Sequence, residues 1–463
     1  MAVKLLCICN PILDVTATVT EECLKAYDLQ PNNAILADPS KHGNMVAELC
    51  AQYSVSYSAG GAGLNTARAA AHQLAALSDT CPSIGYLSND CSSVHLDSNA
   101  LSHAVAFIGC IGDDEHGRMI EQIVSADGVK TAFQVDNNHH TGTCSVLLTG
   151  KNRSLVADLA AANCLRLDHL EQPHVMQLID EAVCYYSSGY VLTVCPEAML
   201  LMAHSARNSQ KQVSMNDSLS KESQFNSHCA RTEASSNETS SDHPYAWQAF
   251  TGRQKLFAMN LSAPFLCHFF RTQMLSVLPL ADIIFCNEDE LVEFCKANQL
   301  LDGDAETNRN AMIPELMHKM QSMLACTRNE QLQADSSELA YSACDSSDSS
   351  IQSTSSDACD SMLVVTRSHQ PTLLLDWTGK MSEHAVELIE DADAIVDTNG
   401  AGDVFAGAFL ANLLVKKITN RRGINGSMGC CAQDDAAVVD WDDCVQAGHA
   451  MARKIIQTSG IVF

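Results

Sequence analysis

Basic residues are scarce in this 463-residue chain: Lys and Arg number 28 against 55 Asp and Glu, a formal net charge of −27. A chain this acidic lacks a sequence-independent grip on nucleic acid or anionic lipid, so no nucleic acid and no membrane is expected as a partner. Any phosphate ligand must be met locally, by backbone amides, a few cations or a metal. Long apolar runs are missing too, and none approaches the roughly 18 residues of a membrane span. Lys4 and the stretch Leu5 to Cys9 begin like a secretion signal, but Asn10, Pro11 and Asp14 cut it short, so a cytoplasmic protein is expected. The 21 cysteines contain no Cys-x-x-Cys pair. Many, such as Cys7, Cys9, Cys110 and Cys286, sit in apolar runs where a reduced thiol acts as a small hydrophobe. The sequon at Asn237 is then without consequence, because cytosolic sequons are not glycosylated. The chain also lacks Gly-Lys-Ser/Thr, which excludes a Walker phosphate loop.

What is present centres on Ala394 to Val415. Ala394-Ile395-Val396, then Asp397-Thr398-Asn399-Gly400-Ala401-Gly402-Asp403, then apolar residues at helical spacing (Val404, Phe405, Ala408, Phe409, Leu413) read as strand, tight turn and helix. The first amides of a helix lack internal partners and together carry about half a positive charge. Gly400 and Gly402 let an anion approach them closely. A dinucleotide fingerprint needs glycine where Phe405 stands, so that reading fails. Asp403 beside an anion hole would repel a phosphate that is merely held, which points to chemistry on the phosphate. The alternative is a structural Gly turn with a capping Asp.

Residues 3 to 9 read as a buried strand ending in Asn10-Pro11-Ile12-Leu13-Asp14. Asn10 and Asp14 at a strand end can hydrogen-bond a polyol, or serve only as turn and loop residues. The pattern predicts a strand over 53 to 57, then Ala59-Gly60-Gly61-Ala62-Gly63-Leu64-Asn65 and an Ala-rich helix from 66 to 77. Asn65 can donate to and accept from sugar hydroxyls, although close packing also accounts for the glycines. Residues 105 to 111 form a strand, and 141 to 148 with 153 to 157 a hairpin. Arg153 at its turn suits a phosphoryl clamp, or is a surface cation. Further strands fall at 183 to 187, 189 to 193, 257 to 261, 283 to 286, 362 to 366 and 372 to 375, with a closing helix over 441 to 456. Asn287-Glu288-Asp289-Glu290 can order hydrated Mg²⁺ or simply start a helix. Segments 78–102, 205–246, 328–360 and 421–437 are polar, poor in large apolar residues, and expected to be disordered insertions. Strands alternating with helices imply one α/β domain over 1–463, a doubly wound, mainly parallel sheet flanked by helices. The early strands, about 14–58 and 131–158, are expected to form a small β lid.

Taken jointly, these pieces resemble the ribokinase-like (PfkB) carbohydrate kinases, and within them the adenosine kinases. The resemblance is carried by Asn-Pro-Ile-Leu-Asp at 10 to 14, Ala-Gly-Gly at 59 to 61 with Asn65, Gly-Cys-Ile-Gly at 109 to 112 and Thr-Gly-Thr-Cys at 141 to 144. It continues through Asn-Arg-Ser-Leu-Val-Ala at 152 to 157, Leu-Ala-Ala-Ala-Asn-Cys at 159 to 164 and Asn-Leu-Ser-Ala-Pro-Phe at 260 to 265. Asn287-Glu288, the 397 to 403 motif and Ala-Gly-His at 447 to 449 complete it. It implies that Asp403 takes the proton of the adenosine 5′-hydroxyl as that oxygen attacks the γ-phosphorus of ATP, giving AMP and ADP in purine salvage. The amides of Gly400, Ala401 and Gly402 would form the anion hole, and Arg153 would close with the lid onto the γ-phosphate. By the same resemblance, Asn287 and Glu290 order Mg²⁺ through water. Asp14 binds the ribose with Gly61 and Asn65, and Asn10 lies nearby. Leu36, Leu155, Ala157, Tyr190 and Val191 would line the base, and Asn287, Thr366, Asn399 and His449 the ATP side. A monomer is expected.

Two positions depart from the family pattern. Ser188-Gly189-Tyr190-Val191 has one ring where a pair is usual, and Thr366-Arg367-Ser368 replaces a Thr-x-Gly turn. Rival readings are a ribokinase-like kinase for another nucleoside or sugar, and a non-catalytic nucleotide sensor.

Overall fold

Leu5–Ile8 (β1) is buried along its whole length, as a strand covered on both faces must be. The computed structural model describes residues 4–31, 33–80, 103–150, 152–207, 255–301, 309–342, 361–424, 441–458 and 460–463. The lid strands are Ile12–Thr18 (β2), Ala34–Leu36 (β3) and Val55–Gly60 (β4). Val105–Gly112 (β5) and Val129–Asp136 (β6) follow, then Thr143–Thr149 (β7) and Asn152–Asp158 (β8). The rest are Cys184–Ser188 (β9), Leu256–Asn260 (β10), Ile283–Asn287 (β11), Met362–Arg367 (β12), Gln370–Leu375 (β13) and Met381–His384 (β14).

Nine strands pair in the order β14-β13-β12-β11-β10-β9-β1-β5-β6. All neighbours from β12 to β6 run parallel, and β13 and β14 close one edge antiparallel. A second sheet, β3-β8-β7-β2-β4, is the lid. From β1 the chain passes through lid strands to β5 and β6 on one side, then crosses over and steps outward through β9 to β12 on the other. β1 and β9 therefore adjoin where the strand order reverses, and the crevice outside the carboxyl ends of such strands is where open α/β sheets collect ligands. Asn10, Ser188, Asn260, Asn287 and Thr366 all lie at those ends.

Helices Ala62–Thr80 (α1), Ala401–Ile424 (α2) and Trp441–Ile455 (α3) pack against one another, and α1 rests on β1 and β5. The main core unites the nine-stranded sheet with these helices, from Leu5 and Phe107 to Phe257, Phe294 and Phe409. The lid has its own small core of Ala17, Val19, Leu24, Leu29, Met45, Leu49, Leu147 and Val156. Within the lid, Asp14 pairs with Cys144, Cys144 with Ala157 and Ala157 with Leu36. Side chains alternate along a strand, so Asp14, Leu36, Arg153, Leu155 and Ala157 share the face opposite that core.

The structure corrects several expectations. The Ala394 to Val396 run is no strand: Ala392–Ala394 is a 3₁₀ turn, Ile395 and Val396 are exposed, and the Val396 and Asp397 amides donate to the Ile456 carbonyl at 2.8 and 3.1 Å. The Ala394 amide closes its own turn on the Asp391 carbonyl at 3.0 Å, and one further carbonyl just past α3 cannot make a ladder. Residues 189 to 193 form a 3₁₀ turn, capped by the Ser188 hydroxyl. β6 pairs with β5 in the main sheet, so the second lid segment begins at β7 instead of 131. Within 328–360, a helix Arg309–Ser342 reaches past the expected boundary. Arg328 is buried there and bonds the carbonyls of Pro279 and Ala281 and the hydroxyl of Ser361. A buried, fully engaged guanidinium supplies the anchoring that the polar composition conceals. Likewise α1 runs to Thr80, residues 205–207 are helical, and α2 covers 421–424. The remainders of the four segments lie outside the described residues. Among the described residues all cysteines are free, and no helix is long and apolar enough to cross a membrane.

Candidate active site

Gly400 turns the chain into α2 with φ of +73°, a conformation that costs a residue with a Cβ about 1–3 kcal/mol. A Cβ there would also come within 2.4 Å of Ile461 Cδ1. The turn borders a cavity of ≈ 340 Å³, lined by Thr398, Asn399, Gly400, Gly402 and Asp403 from this loop and the start of α2. Ala401 does not line it, and its amide donates to the Thr398 carbonyl at 3.3 Å. Tyr190, Asn260, Asn287, Glu290 and Thr366, from the ends of β9 to β12, complete the polar wall.

Asp403 accepts a hydrogen bond from Asn65 Nδ2 at 3.2 Å, across 338 residues of sequence. Burial pushes its carboxyl up to about 7. Asn65 pulls it down and the charge of Glu290 pushes it further up. A base with a pKa near neutrality is well matched to proton transfer. Asn65 is 8% exposed, and its Oδ1 is buried without a hydrogen-bond partner. An orphaned acceptor of this kind costs about 1–3 kcal/mol unless something donates to it, so the site is built for a hydroxyl.

Glu290 is 5% exposed, and burial raises it to about 7, partly offset by the Asn287 amide. It forms a capping box with Asn287 at the start of the Glu288–Ala297 helix. The Glu290 amide donates to Asn287 Oδ1 at 2.9 Å, while the Asn287 amide and Nδ2 donate to the Glu290 carboxylate at 3.0 and 2.9 Å. With the half-buried Asp403, Glu290 gives the cavity two carboxylates among amide and hydroxyl oxygens. That oxygen-rich set fits a hard divalent cation, and the capping bonds leave its members suited to hold one through water. Thr366 also lines the cavity and donates to the Cys286 carbonyl at 3.4 Å. Where a Thr-x-Gly turn was expected, Ser368 takes φ of +57° and Arg367 is anchored on Glu288 at 2.6 Å. His449 stands behind the wall: its ring packs on Phe405, its Nε2 meets the Thr372 hydroxyl at 2.8 Å, and burial lowers its pKa.

From the lid, Asp14 faces Gly60, where a Cβ would lie 2.6 Å from its Oδ2. Burial raises Asp14 to about 6, against the pull of Arg153 and Arg68. Gly61, with φ of +104°, passes so close to Asn10 that a Cβ would meet its carbonyl at 2.3 Å. Asn10 is committed elsewhere, donating to the Ala162 carbonyl at 3.1 Å and Asn163 Oδ1 at 3.4 Å. Arg153 forms a largely buried ion pair with Asp397, the first residue of the 397–403 motif, and so joins the lid to the turn at the start of α2. Burial lowers its pKa, opposed by Asp14 and Cys144. Leu36 is 69% exposed at the lid edge, and Leu155 and Ala157 are half-buried. Val191 stands apart, 1% exposed in the main core.

Sequence reasoning gave no role to Phe265 or Ser262. The Phe265 ring lies 6.3 Å from that of Tyr190, while Ser262, with φ of +69°, bonds the Ser188 hydroxyl and the Gly189 amide at 2.9 Å. Both belong to the Asn-Leu-Ser-Ala-Pro-Phe run, whose presence was the available signal. A larger cavity of ≈ 520 Å³ lies against the other face of the lid, lined by His42, Asp114, His116, His140 and Asp158 among others, and none of the predicted site residues reaches it.

A glycine turn at a helix N-terminus, an aspartate beside it and a lid over a parallel sheet are the arrangement of a sugar- or nucleoside-type phosphotransferase. Residues 27–237, 228–331 and 335–463 match the pfkB family of carbohydrate kinases, and the chain belongs to that family. It is similar to adenosine kinase 2 of Arabidopsis thaliana, 28% identical over 98% of this chain and 94% of the relative. The adenosine kinase of Saccharomyces cerevisiae is 30% identical over 89% of each chain. Among solved structures, Anopheles gambiae adenosine kinase superposes with a TM-score of 0.62 at 28% identity, covering 98% of this chain and 96% of that one. Schistosoma mansoni adenosine kinase in complex with adenosine in an occluded loop conformation gives 0.62 at 25% identity, covering 99% and 96%.

Proposed function

We propose that this chain is an ATP:adenosine 5′-phosphotransferase, making AMP and ADP. The observation that carries the reading is the Asn65–Asp403 pair: a half-buried carboxylate near neutral pKa, next to an amide oxygen that lacks a donor. A nucleoside 5′-hydroxyl donating to Asp403 and a ribose hydroxyl donating to Asn65 Oδ1 would satisfy both. The similarity to adenosine kinases over nearly the full length supports the choice of nucleoside.

In this reading Asp403 takes the 5′-hydroxyl proton while the amides of Gly400 and Gly402 receive the charge that develops on the transferring phosphoryl group; the Ala401 amide, expected to join them, is spent on the Thr398 carbonyl. Arg153 moves from Asp397 to the γ-phosphate as the lid seats. Asp14 holds the ribose hydroxyls with the Gly61 backbone, and Tyr190, with Phe265 packed beside it, stacks on the base. Leu36, Leu155 and Ala157 cover it from the lid. Glu290 and Asn287 would hold Mg²⁺ through water, and the cation would supply neutralisation of phosphate charge. Thr366 and Asn399 contact ATP, and His449 supports Phe405 from behind. A lid shut over the site excludes water and limits futile ATP hydrolysis.

A panel of adenosine, other nucleosides, ribose and fructose with ATP tests the proposal. Adenosine is expected to turn over fastest. Faster phosphorylation of a free sugar would sink the adenosine assignment, and no transfer to any acceptor would favour a nucleotide sensor.

A further inference from the structure

The catalytic turn is braced from behind by the segment 460–463, which no part of the reaction requires. Ile461 packs with Ala69 of α1 and with Val404 and Ile455 of α2 and α3. These helices carry Asn65 and Asp403 in their opening turns, so Ile461 wedges the junction that sets the Asn65–Asp403 hydrogen bond. It also abuts Gly400 beside Asn65: a Cβ built on Gly400 would lie 2.4 Å from Ile461 Cδ1 and 3.6 Å from Asn65 Nδ2.

Arg68, one turn after Asn65 on α1 and 4% exposed, holds this segment in place. Its Nη2 donates to the Ile461 carbonyl at 3.4 Å and its Nη1 to the Ala59 carbonyl at 2.7 Å. Its Nε meets Asp127 at 2.6 Å. The guanidinium also lies 5.2 Å from the Phe463 ring centroid, whose other contact is a stacked His72 at 4.5 Å. A planar fork can satisfy three directions at once, which an ammonium cannot. One buried side chain thus ties Ala59, which opens the Gly60-Gly61 floor beside Asp14, to the residue that backs the anion hole.

We infer that Arg68 and Ile461 are a coupled pair of positioning residues for phosphoryl transfer, Ile461 setting the anion hole and Arg68 setting both Ile461 and the nucleoside floor. This rests on the phosphotransferase reading. A misplacement of about 1 Å at such a site can cost roughly 10²-fold in rate.

The test measures kcat, KM for the nucleoside and thermal stability in Ile461→Ala, Arg68→Met, Arg68→Lys and the Ile461→Ala/Arg68→Met double variant. Ile461→Ala is expected to lower kcat about 10-fold to 10²-fold with KM within about twofold. Arg68→Met should lower kcat similarly and also raise KM, and Arg68→Lys should recover part of the KM effect only. The double variant should lose no more kcat than Arg68→Met alone, because both act through one contact. Unchanged kcat per folded molecule with a lower Tm, or fully additive kcat losses, would overturn the pairing. Should Ile461→Ala fail to fold, Ile461→Val supplies a smaller shift of the same sign, and an unaltered kcat there also refutes the claim. If the wild-type protein prefers an acceptor other than adenosine, the same comparison is made with that acceptor, so the two readings fail separately.

Discussion

The two halves of the site are held by very different amounts of structure. Asp403, Asn65 and Glu290 ride on helices seated on the large core of the nine-stranded sheet. Asp14, Arg153, Leu155 and Ala157 ride on a five-stranded sheet with a small core of its own. The first half is pre-paired: Asp403 with Asn65, Glu290 with Asn287. The second reaches the first through the Arg153–Asp397 pair, which a phosphate could replace. Under the proposed mechanism, chemistry that needs fixed geometry is therefore on the half with the larger core, and the groups proposed to admit and then cover the substrate are on the half that can open at lower cost.

Asp403→Asn breaks the rigid half hardest. kcat should fall ~10²–10⁴-fold, the usual worth of a positioned base, while adenosine affinity by calorimetry changes little. Near-normal kcat would remove Asp403 from the role proposed. Arg153→Met tests the lid. One lost cationic donor to the transferring phosphoryl group should cost roughly 10²–10³-fold in kcat, and an effect on nucleoside KM alone would mean that the lid only covers. Gly60→Ala pushes a methyl against the Asp14 carboxylate. About tenfold weaker nucleoside binding, near 1.4 kcal/mol, is expected with a smaller change in kcat.

The gentlest probe is pH. With Asp403 raised to about 7, kcat should climb as pH passes through 7 and then level off. The same shift has a stability consequence of definite sign. The folded-state pKa exceeds the ordinary value of 3.8, so this contribution is fully present below about pH 4 and is lost as pH rises through about 7. Asp403→Asn should accordingly unfold at a higher temperature than wild type at pH 8, by on the order of 2–4 kcal/mol, and show no such gain at pH 4. An advantage over wild type of the same size at both pH values would contradict the burial argument. Amide hydrogen exchange should also find β7 and β8 less protected than β9 and β10 if the lid is the looser half.

Much of this was readable from residue patterns because it is local. Gly400 at a left-handed φ, Asn287 and Glu290 at capping-box spacing, and the hairpin through Arg153 each depend on a few neighbouring residues. The Ala394 to Val396 run misled because an apolar run predicts a strand only where a neighbouring strand exists to pair with it. The 328–342 stretch misled because its polar residues hide one buried arginine whose partners are distant in sequence. Val191 looked like a wall residue by adjacency to Tyr190, yet the 3₁₀ turn points it into the core.

The motif order by itself determined the turn, the base candidate beside it and the kind of ligand such a turn meets, since helix ends and glycine turns obey short-range sterics. Only the tertiary structure decided that Asn65 faces Asp403, that Asp397 holds Arg153, that Phe265 stands beside Tyr190, and that Asp403 is enclosed enough to reach about 7. Those are contacts and burial between segments far apart in the chain, and a carboxyl's pKa depends on how much water the whole fold leaves around it.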